Sequence, residues 1–367
     1  MVDLAGSYLV LESTNRCNLA CAHCAVSEEA HPHHQTTGML DICLVEDLLS
    51  DLCENQLSFD SLILFWLGEP TLHPQFLEIY QKALRAAVVG KVFSKIELHT
   101  NGIRFSEQKR KGLLNSATIP QVIHFSLDAA RPSTYLKIKR RDRLEQAVSN
   151  AKTFILEKKA LGARWPRPII QFILGRNNQD EADLFLDEWR RFFYGHDLPV
   201  RFSVGAVPNG EEPVIFFRQL DAPTAKQQQL ENECFRRFAE KHQLDLPKEQ
   251  PLIVAENLQP CSGFWKSPTI DWQGNVTVCT RDNELKNAVG NLRETSFSKL
   301  WWSEDMMKRR AKVALGDYED HSLCQTCFIP KSLNHTDISE LEIQRAKEFF
   351  NIHINHSRGR NDSSEII

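Results

Sequence analysis

Cys17, Cys21 and Cys24 stand in the run Thr14-Asn15-Arg16-Cys17-Asn18-Leu19-Ala20-Cys21-Ala22-His23-Cys24. A cubane [4Fe–4S] cluster has four irons, and cysteine thiolates are their usual ligands. Three thiolates at Cys-x3-Cys-x2-Cys spacing leave one iron open, where an outside chelate can bind and react. Cys261, Cys279, Cys324 and Cys327 form a second set, so seven of the ten cysteines sort into two groups. Four thiolates close a cluster completely, which suits electron transfer and excludes direct binding of a substrate to iron. Zinc is the competing occupant, since structural zinc takes four tetrahedral N/S ligands. In the first set His23 would have to be the fourth ligand, yet it lies between two of the cysteines and cannot easily turn back onto the same ion. The second set has a single Cys-x2-Cys pair where zinc ribbons usually have two.

Other residues with chemistry to offer fall at the ends of strand-like runs. Gly68-Glu69-Pro70 follows the apolar Leu62–Trp66: a carboxylate there can accept hydrogen bonds from an ammonium group, and a glycine permits close backbone approach. His99-Thr100-Asn101-Gly102 and Ser126-Leu127-Asp128 end two further runs. Asp128 could equally be the N-cap of a following helix.

The cysteine loop after a first strand, with Gly-Glu-Pro after the second, resembles the radical S-adenosylmethionine (SAM) superfamily, over roughly residues 7 to 330. The run from Ser126 to Lys139, the Gly274-to-Cys279 step and the stretch from Gly290 to Trp301 resemble its SPASM/Twitch branch. The resemblance implies that SAM fills the open iron and is cleaved to a 5′-deoxyadenosyl radical. It places His23, Gly68, Glu69, Thr100, Ser126, Gln171 and Leu174 among the SAM-binding residues, with Ser126 the first ribose contact and Thr100 the second. The branch usually has an arginine four residues after the tyrosine to clamp the SAM carboxylate. Here that position is Lys139, beside Arg140 and Arg141, and which cation serves stays open because lysine is a point charge and arginine a fork. The second set resembles the Twitch form, which carries one auxiliary cluster, because no cysteine follows Cys327. Its spacing is also similar to that of the butirosin aminocyclitol dehydrogenase.

The elements that must position these residues alternate. Strand-like runs recur at Tyr8–Glu12, Ser61–Trp66, Lys95–His99, Val122–Leu127, Ile169–Leu174 and Val200–Val204, with helical stretches such as Leu44–Glu54, Gln75–Ala87, Arg143–Leu161 and Glu181–Phe193 between them. Strands separated by helices predict a parallel sheet. The expected fold is α/β: a partial (β/α)6 TIM-like barrel, then a small C-terminal Twitch domain of β-hairpin plus helix that binds a cluster. The hairpin should turn at Gln273-Gly274, and Phe297–Met307 should be amphipathic. Expected boundaries are 1–207 for the barrel, 208–257 for a linker and connecting helix, 258–332 for the cluster domain and 333–367 for a C-terminal helix and tail.

Whole-chain properties narrow the setting. A net charge of −4 gives no electrostatic reason to expect nucleic acid, and no apolar run approaches the ~20 residues of a membrane span. Met1 to Ser7 lacks the basic and apolar regions of a signal peptide. Ten cysteines without an export signal predict a reducing cytoplasm. The resemblance implies a flavodoxin- or ferredoxin-type electron donor and a small-molecule substrate, either a carbohydrate or a peptide.

The expected reaction is hydrogen abstraction beside a hydroxyl, followed by loss of a proton and an electron to the second cluster, giving a ketone from a carbohydrate or aminocyclitol alcohol. Epimerisation is the alternative and needs a thiol donor, for which Cys234 is the candidate; its plainer role is a buried helix residue. Cys43 and Cys53 are expected to face the core. A peptide-modifying maturase ranks lower, since a first strand near Tyr8 leaves no room for an N-terminal recognition domain. Glu12 and His124 are the candidate bases. His31-Pro32-His33-His34 is expected in a loop, and Trp301-Trp302 in core packing.

Overall fold

A computed structural model describes residues 6–24, 36–114, 119–221, 225–244, 257–327, 329–331 and 338–353. The histidine tract at 31–34 lies outside the described residues. Ten strands form one sheet: β1 (Tyr8–Leu11), β2 (Phe59–Leu64), β3 (Phe93–Thr100), β4 (Gln121–Ser126), β5 (Arg167–Leu174), β6 (Arg201–Val204), β7 (Val214–Gln219), β8 (Thr269–Ile270), β9 (Asn275–Thr277) and β10 (Gly290–Asn291). Their order is β10-β9-β8-β1-β2-β3-β4-β5-β7-β6. From β1 to β6 every neighbour is parallel, which makes the expected partial barrel with helices on its outside.

The sixth barrel position belongs to β7. The run expected there, Val200–Val204, is the edge strand β6 instead, and the sheet continues to Gln219, past the expected boundary at residue 207. Val214, Ile215, Phe216 and Phe217 are all buried, so this strand has the apolar content to displace β6 outward. Parallel neighbours normally need a crossover of a dozen or more residues, but β6 and β7 are joined by the turn-rich segment 205–213. Arg167 holds that segment, donating from Nε to Glu212 O (2.6 Å) and from Nη1 to Pro208 O (2.7 Å).

Alternation along each strand divides two environments. Ile170, Phe172 and Leu174 of β5 pack into the main core under the helices, whereas Ile169 joins Val122, Val214 and Phe216 in a small cluster inside the barrel. Helix Ile42–Glu54 shows the covering pattern: Asp41 caps it, and Leu44, Val45, Leu48, Leu49 and Leu52 form its buried stripe. Each such side chain contributes about 1.5–3 kcal/mol. Cys43, expected in the core, is exposed on that helix, and Cys53 is half-buried.

The C-terminal hairpin forms as expected, with Gly274 at φ +90° in its turn. It is not detached: β8 pairs in parallel with β1 and extends the barrel sheet. The amphipathic stretch from Phe297 is two helices, Phe297–Trp301 and Glu304–Ala314, because Ser303 leaves the helical conformation to cap the second one at Met306 N. Arg310 lies over the rings of Trp301 and Trp302, so these tryptophans do pack the small domain. No helix among the described residues is long and apolar enough to cross a membrane.

Candidate active site

The loop after β1 carries Cys17, Cys21 and Cys24 across the carboxyl ends of the strands. Two backbone bonds fasten it to the end of helix Pro132–Lys139, Ala20 N to Lys139 O (3.2 Å) and Ala22 N to Ile138 O (2.8 Å). Asn101 Nδ2 holds it from the end of β3, donating to Asn18 Oδ1 (2.7 Å). Burial first, with Glu69 and the other two cysteines, pushes the Cys17 thiol up to about 12. Thiols that disfavour one another's ionisation in this way are a donor set suited to a cationic cluster.

Gly68 is fixed by space. A Cβ there would lie 2.0 Å from Thr14 O and 2.8 Å from Arg16 O, so only glycine lets the cysteine loop cross β2's end. Glu69, 2% exposed, points beneath this crossing. Its Oε1 accepts from Thr71 N (3.1 Å), Thr71 Oγ (2.6 Å) and Thr100 Oγ (2.7 Å), and its Oε2 from Asn101 N (2.7 Å). That leaves one acceptor direction on Oε2. Thr100, expected against the ribose, instead spends its hydroxyl on Glu69.

Asp128 does not cap a helix. Its φ is +62°, Arg131 occupies the N-cap position of helix Pro132–Lys139, and its carboxylate accepts from Ile173 N (2.7 Å) and Lys139 Nζ. Burial alone would drive Lys139 down; the Asp128 carboxylate and the Cys21 thiol reverse this and hold it well above the ordinary lysine range. Among the three adjacent cations only Lys139 is buried, while Arg140 and Arg141 are exposed. His23 Nε2 lies 3.9 Å from Asp128, and burial together with Lys139 pushes this imidazole down to about 4. Ser126 and Gln171 meet across β4 and β5, Gln171 Nε2 donating to Ser126 Oγ at 3.1 Å. Leu174 does not join them: it is fully buried in the helix-facing core.

Cys234 is 2% exposed on helix Ala225–Lys241, packed in the core with its thiol donating to Gln179 Oε1 (3.2 Å). Its surroundings are those of a buried helix residue. Glu12 is likewise engaged, accepting from Leu67 N (3.0 Å) and Trp272 N (3.3 Å).

Inside the barrel, the structure joins His124, a candidate base, and His99, named at its strand end, with Glu97. Glu97 and His99 of β3 face His124 of β4, with Glu97 Oε2 3.7 Å from the Nε2 atoms of both imidazoles. The two rings stack at 4.1 Å and 18°, and Phe65 stacks on His99 at 5.1 Å. One Glu97 oxygen and one nitrogen of each imidazole lie within 4.8 Å of one another, close enough to gather around a metal ion or a proton. Burial and His124 push His99 down to about 4, so it is neutral at pH 7. Lys95 Nζ lies 2.6 Å from Glu97 Oε1, and the two imidazoles with this lysine hold Glu97 well below the carboxylate range despite its burial. The available signal was the period-two polar series Lys95, Glu97, His99 in a strand whose alternate residues are apolar.

The second cysteine set gathers around the hairpin. Cys279 follows β9, Cys324 lies in the short helix Ser322–Thr326, and a Cβ at Gly263 would sit 3.6 Å from Cys261 Sγ and 3.8 Å from Cys279 Cβ. Burial first, and then Cys261, Cys279 and Cys327, push Cys324 up to about 12. Four convergent thiols without a disulfide fit a fully ligated cluster. Trp66 Nε1 donates to Thr280 O (2.8 Å), tying this site to the end of β2.

Residues 11–157 match the radical SAM superfamily, and residues 261–328 match the SPASM iron–sulfur cluster-binding domain. Residues 11–157 are thus a radical SAM domain and residues 261–328 a SPASM domain. The chain's cofactors are SAM with a [4Fe–4S] cluster, and auxiliary iron–sulfur. Among similar proteins, a GTP 3′,8-cyclase of Desulforamulus reducens is 28% identical over 36% of this chain, a match spanning 38% of that protein. A tungsten-containing aldehyde ferredoxin oxidoreductase cofactor-modifying protein of Pyrococcus furiosus is 21% identical over 81% of each chain. The structure of anSMEcpe with bound AdoMet covers 98% of this chain and 96% of its own at TM-score 0.55 and 15% identity, a likeness of fold.

Proposed function

We propose that this chain is a SAM-consuming oxidoreductase that converts a secondary alcohol of a carbohydrate or aminocyclitol to a ketone. When bound, the first cluster supplies one electron that cleaves SAM to methionine and the 5′-deoxyadenosyl radical. That radical takes hydrogen from the carbinol carbon and becomes 5′-deoxyadenosine. Loss of the hydroxyl proton and one electron then gives the ketone. The proton goes to the His99–Glu97–His124 cluster and the electron to the auxiliary site, so the electron consumed at the start is returned.

The observation that carries this reading is the four-thiolate site of Cys261, Cys279, Cys324 and Cys327, fastened to the barrel sheet. A cluster closed by four cysteines has electron transfer as its use, and a redox-neutral rearrangement needs no such acceptor. The remaining cysteines, Cys43, Cys53 and Cys234, lie on helices Ile42–Glu54 and Ala225–Lys241, in keeping with one auxiliary cluster. Burial of Cys234 removes support from the epimerase alternative. Within the SAM site, Gly68 and Glu69 take the ammonium side, Lys139, positioned by Asp128, the carboxylate side, and Ser126 with Gln171 the ribose. His23 borders the adenosyl group. The reductant is a flavodoxin- or ferredoxin-type protein.

Anaerobic reconstitution with iron and sulfide quantification tests the reading. Wild type should hold roughly eight irons. The Cys17/Cys21/Cys24→Ala variant should hold roughly four and lose SAM cleavage. With a panel of cyclitols and sugars, wild type should form ketone and 5′-deoxyadenosine in equal amounts. Zinc in the second set, or product at the oxidation level of the substrate, would defeat the proposal.

A further inference from the structure

The loop between Cys279 and β10 brings a side-chain amide onto the second cysteine set. Asn287, 1% exposed, directs Nδ2 at Cys324 Sγ over 3.7 Å. The amide is fixed at its other end, where Asn287 Oδ1 lies 2.9 Å from His321 Nδ1. An oxygen facing the imidazole must accept from Nδ1–H, so the nitrogen is the atom left to face sulfur. The backbone is braced too. Asp282 accepts from Asn287 N (2.8 Å) and Lys286 N (2.8 Å), and is itself placed by its own N–H on Cys279 O (3.1 Å). The loop thus runs from one cysteine of the set, through Asp282, back to another.

We infer that Asn287 is a positioning residue that donates an N–H···S hydrogen bond to the Cys324 thiolate and so raises the reduction potential of the auxiliary cluster, with His321 holding the amide in its donating orientation. This rests on the reading of the second set as a fully ligated iron–sulfur cluster. Hydrogen bonds to cluster sulfurs stabilise the more negative, reduced state, and they are a principal means by which a protein sets cluster potential. A second, backbone donor reaches the same set, Arg281 N to Cys279 Sγ at 3.4 Å. Asn287 differs from it in being a side chain that substitution can remove. For an electron acceptor the direction is functional: a higher potential makes capture of the substrate's electron more favourable.

The experiment is an EPR-monitored redox titration of the reconstituted full-length protein, wild type against Asn287→Leu and His321→Phe. SAM perturbs only the signal of the first cluster and so identifies the other. The expected result is a shift of the auxiliary midpoint to more negative potential in both variants, larger for Asn287→Leu, with iron content and the first cluster's midpoint unchanged. An unchanged auxiliary midpoint in iron-replete Asn287→Leu overturns the inference. If Asn287→Leu loses the cluster, wild type labelled with 15N-asparagine decides. A 15N coupling to the reduced auxiliary cluster in pulsed EPR upholds the hydrogen bond, and its absence overturns it. Failure of the underlying reading looks different, because wild type would then show a single cluster's worth of iron and no second signal.

Discussion

Glu12 is a carboxyl placed where it cannot ionise cheaply. It receives two backbone N–H groups, from Leu67 and Trp272, yet burial outweighs them and pushes its pKa from 4.5 up to about 8. A carboxyl raised in the fold favours the folded state fully below its unfolded value, and that contribution is lost as pH rises through the folded value. The window here is therefore pH 4.5 to 8. Within it, stability should fall by up to about 1.4 kcal/mol per pH unit from this group. Glu12→Gln removes the ionisation and should flatten the profile. Thermal midpoints of both proteins at pH 5, 6.5 and 8 provide the check. Equal pH slopes would mean that Glu12 ionises freely in the fold.

Among the connections between parallel barrel strands, that between β6 and β7 stands apart because it lacks a helix. Arg167 substitutes for that missing cover, holding two carbonyls of the 208–212 turn, and Arg167→Ala should leave both without their partner. The expected cost is about 1–3 kcal/mol, read by denaturation, with faster amide exchange confined to β6 and the turn. Protection unchanged at β6 would show that the strand stands without Arg167. The same connection explains what the sequence did not disclose. The first five barrel strands were legible as apolar runs, four of them followed by a named helical stretch. Val214–Gln219 comes straight after a turn-rich segment, with no helix before it to mark a new unit. The site divides in a similar way. Cys17, Cys21, Cys24 and Gly68-Glu69 stand in short motifs, and the structure brings Gly68 against the cysteine loop at Thr14 and Arg16. Leu174 was misplaced because it is an odd number of residues from Gln171, and residues so related face opposite sides of a strand. Glu97 escaped, and His99 was noted only as part of a strand end, because polar residues at period two ordinarily mark a solvent face, whereas here that face is the barrel interior.

Across the whole molecule the two cysteine sites share one sheet, and the consequence is mechanical. β8 continues the barrel from β1, Glu12 accepts from Trp272 of the hairpin, and Trp66 donates to Thr280 beside Cys279. On the outer face Asp51, from helix Ile42–Glu54, accepts from both the amide (2.7 Å) and the hydroxyl (2.6 Å) of Ser298 in helix Phe297–Trp301. Bonds at several points of one seam should make barrel and cluster domain unfold together, so calorimetry of the cluster-free chain should show one transition. Asp51→Ala removes the seam's one acceptor of two Ser298 bonds and should cost about 1–3 kcal/mol. Because the sheet still joins the two parts, the midpoint should fall while the transition stays single. Two separated transitions in wild type would show that the seam does not couple the domains. A split only in Asp51→Ala would assign the coupling to the Asp51–Ser298 contact rather than to the continuous sheet.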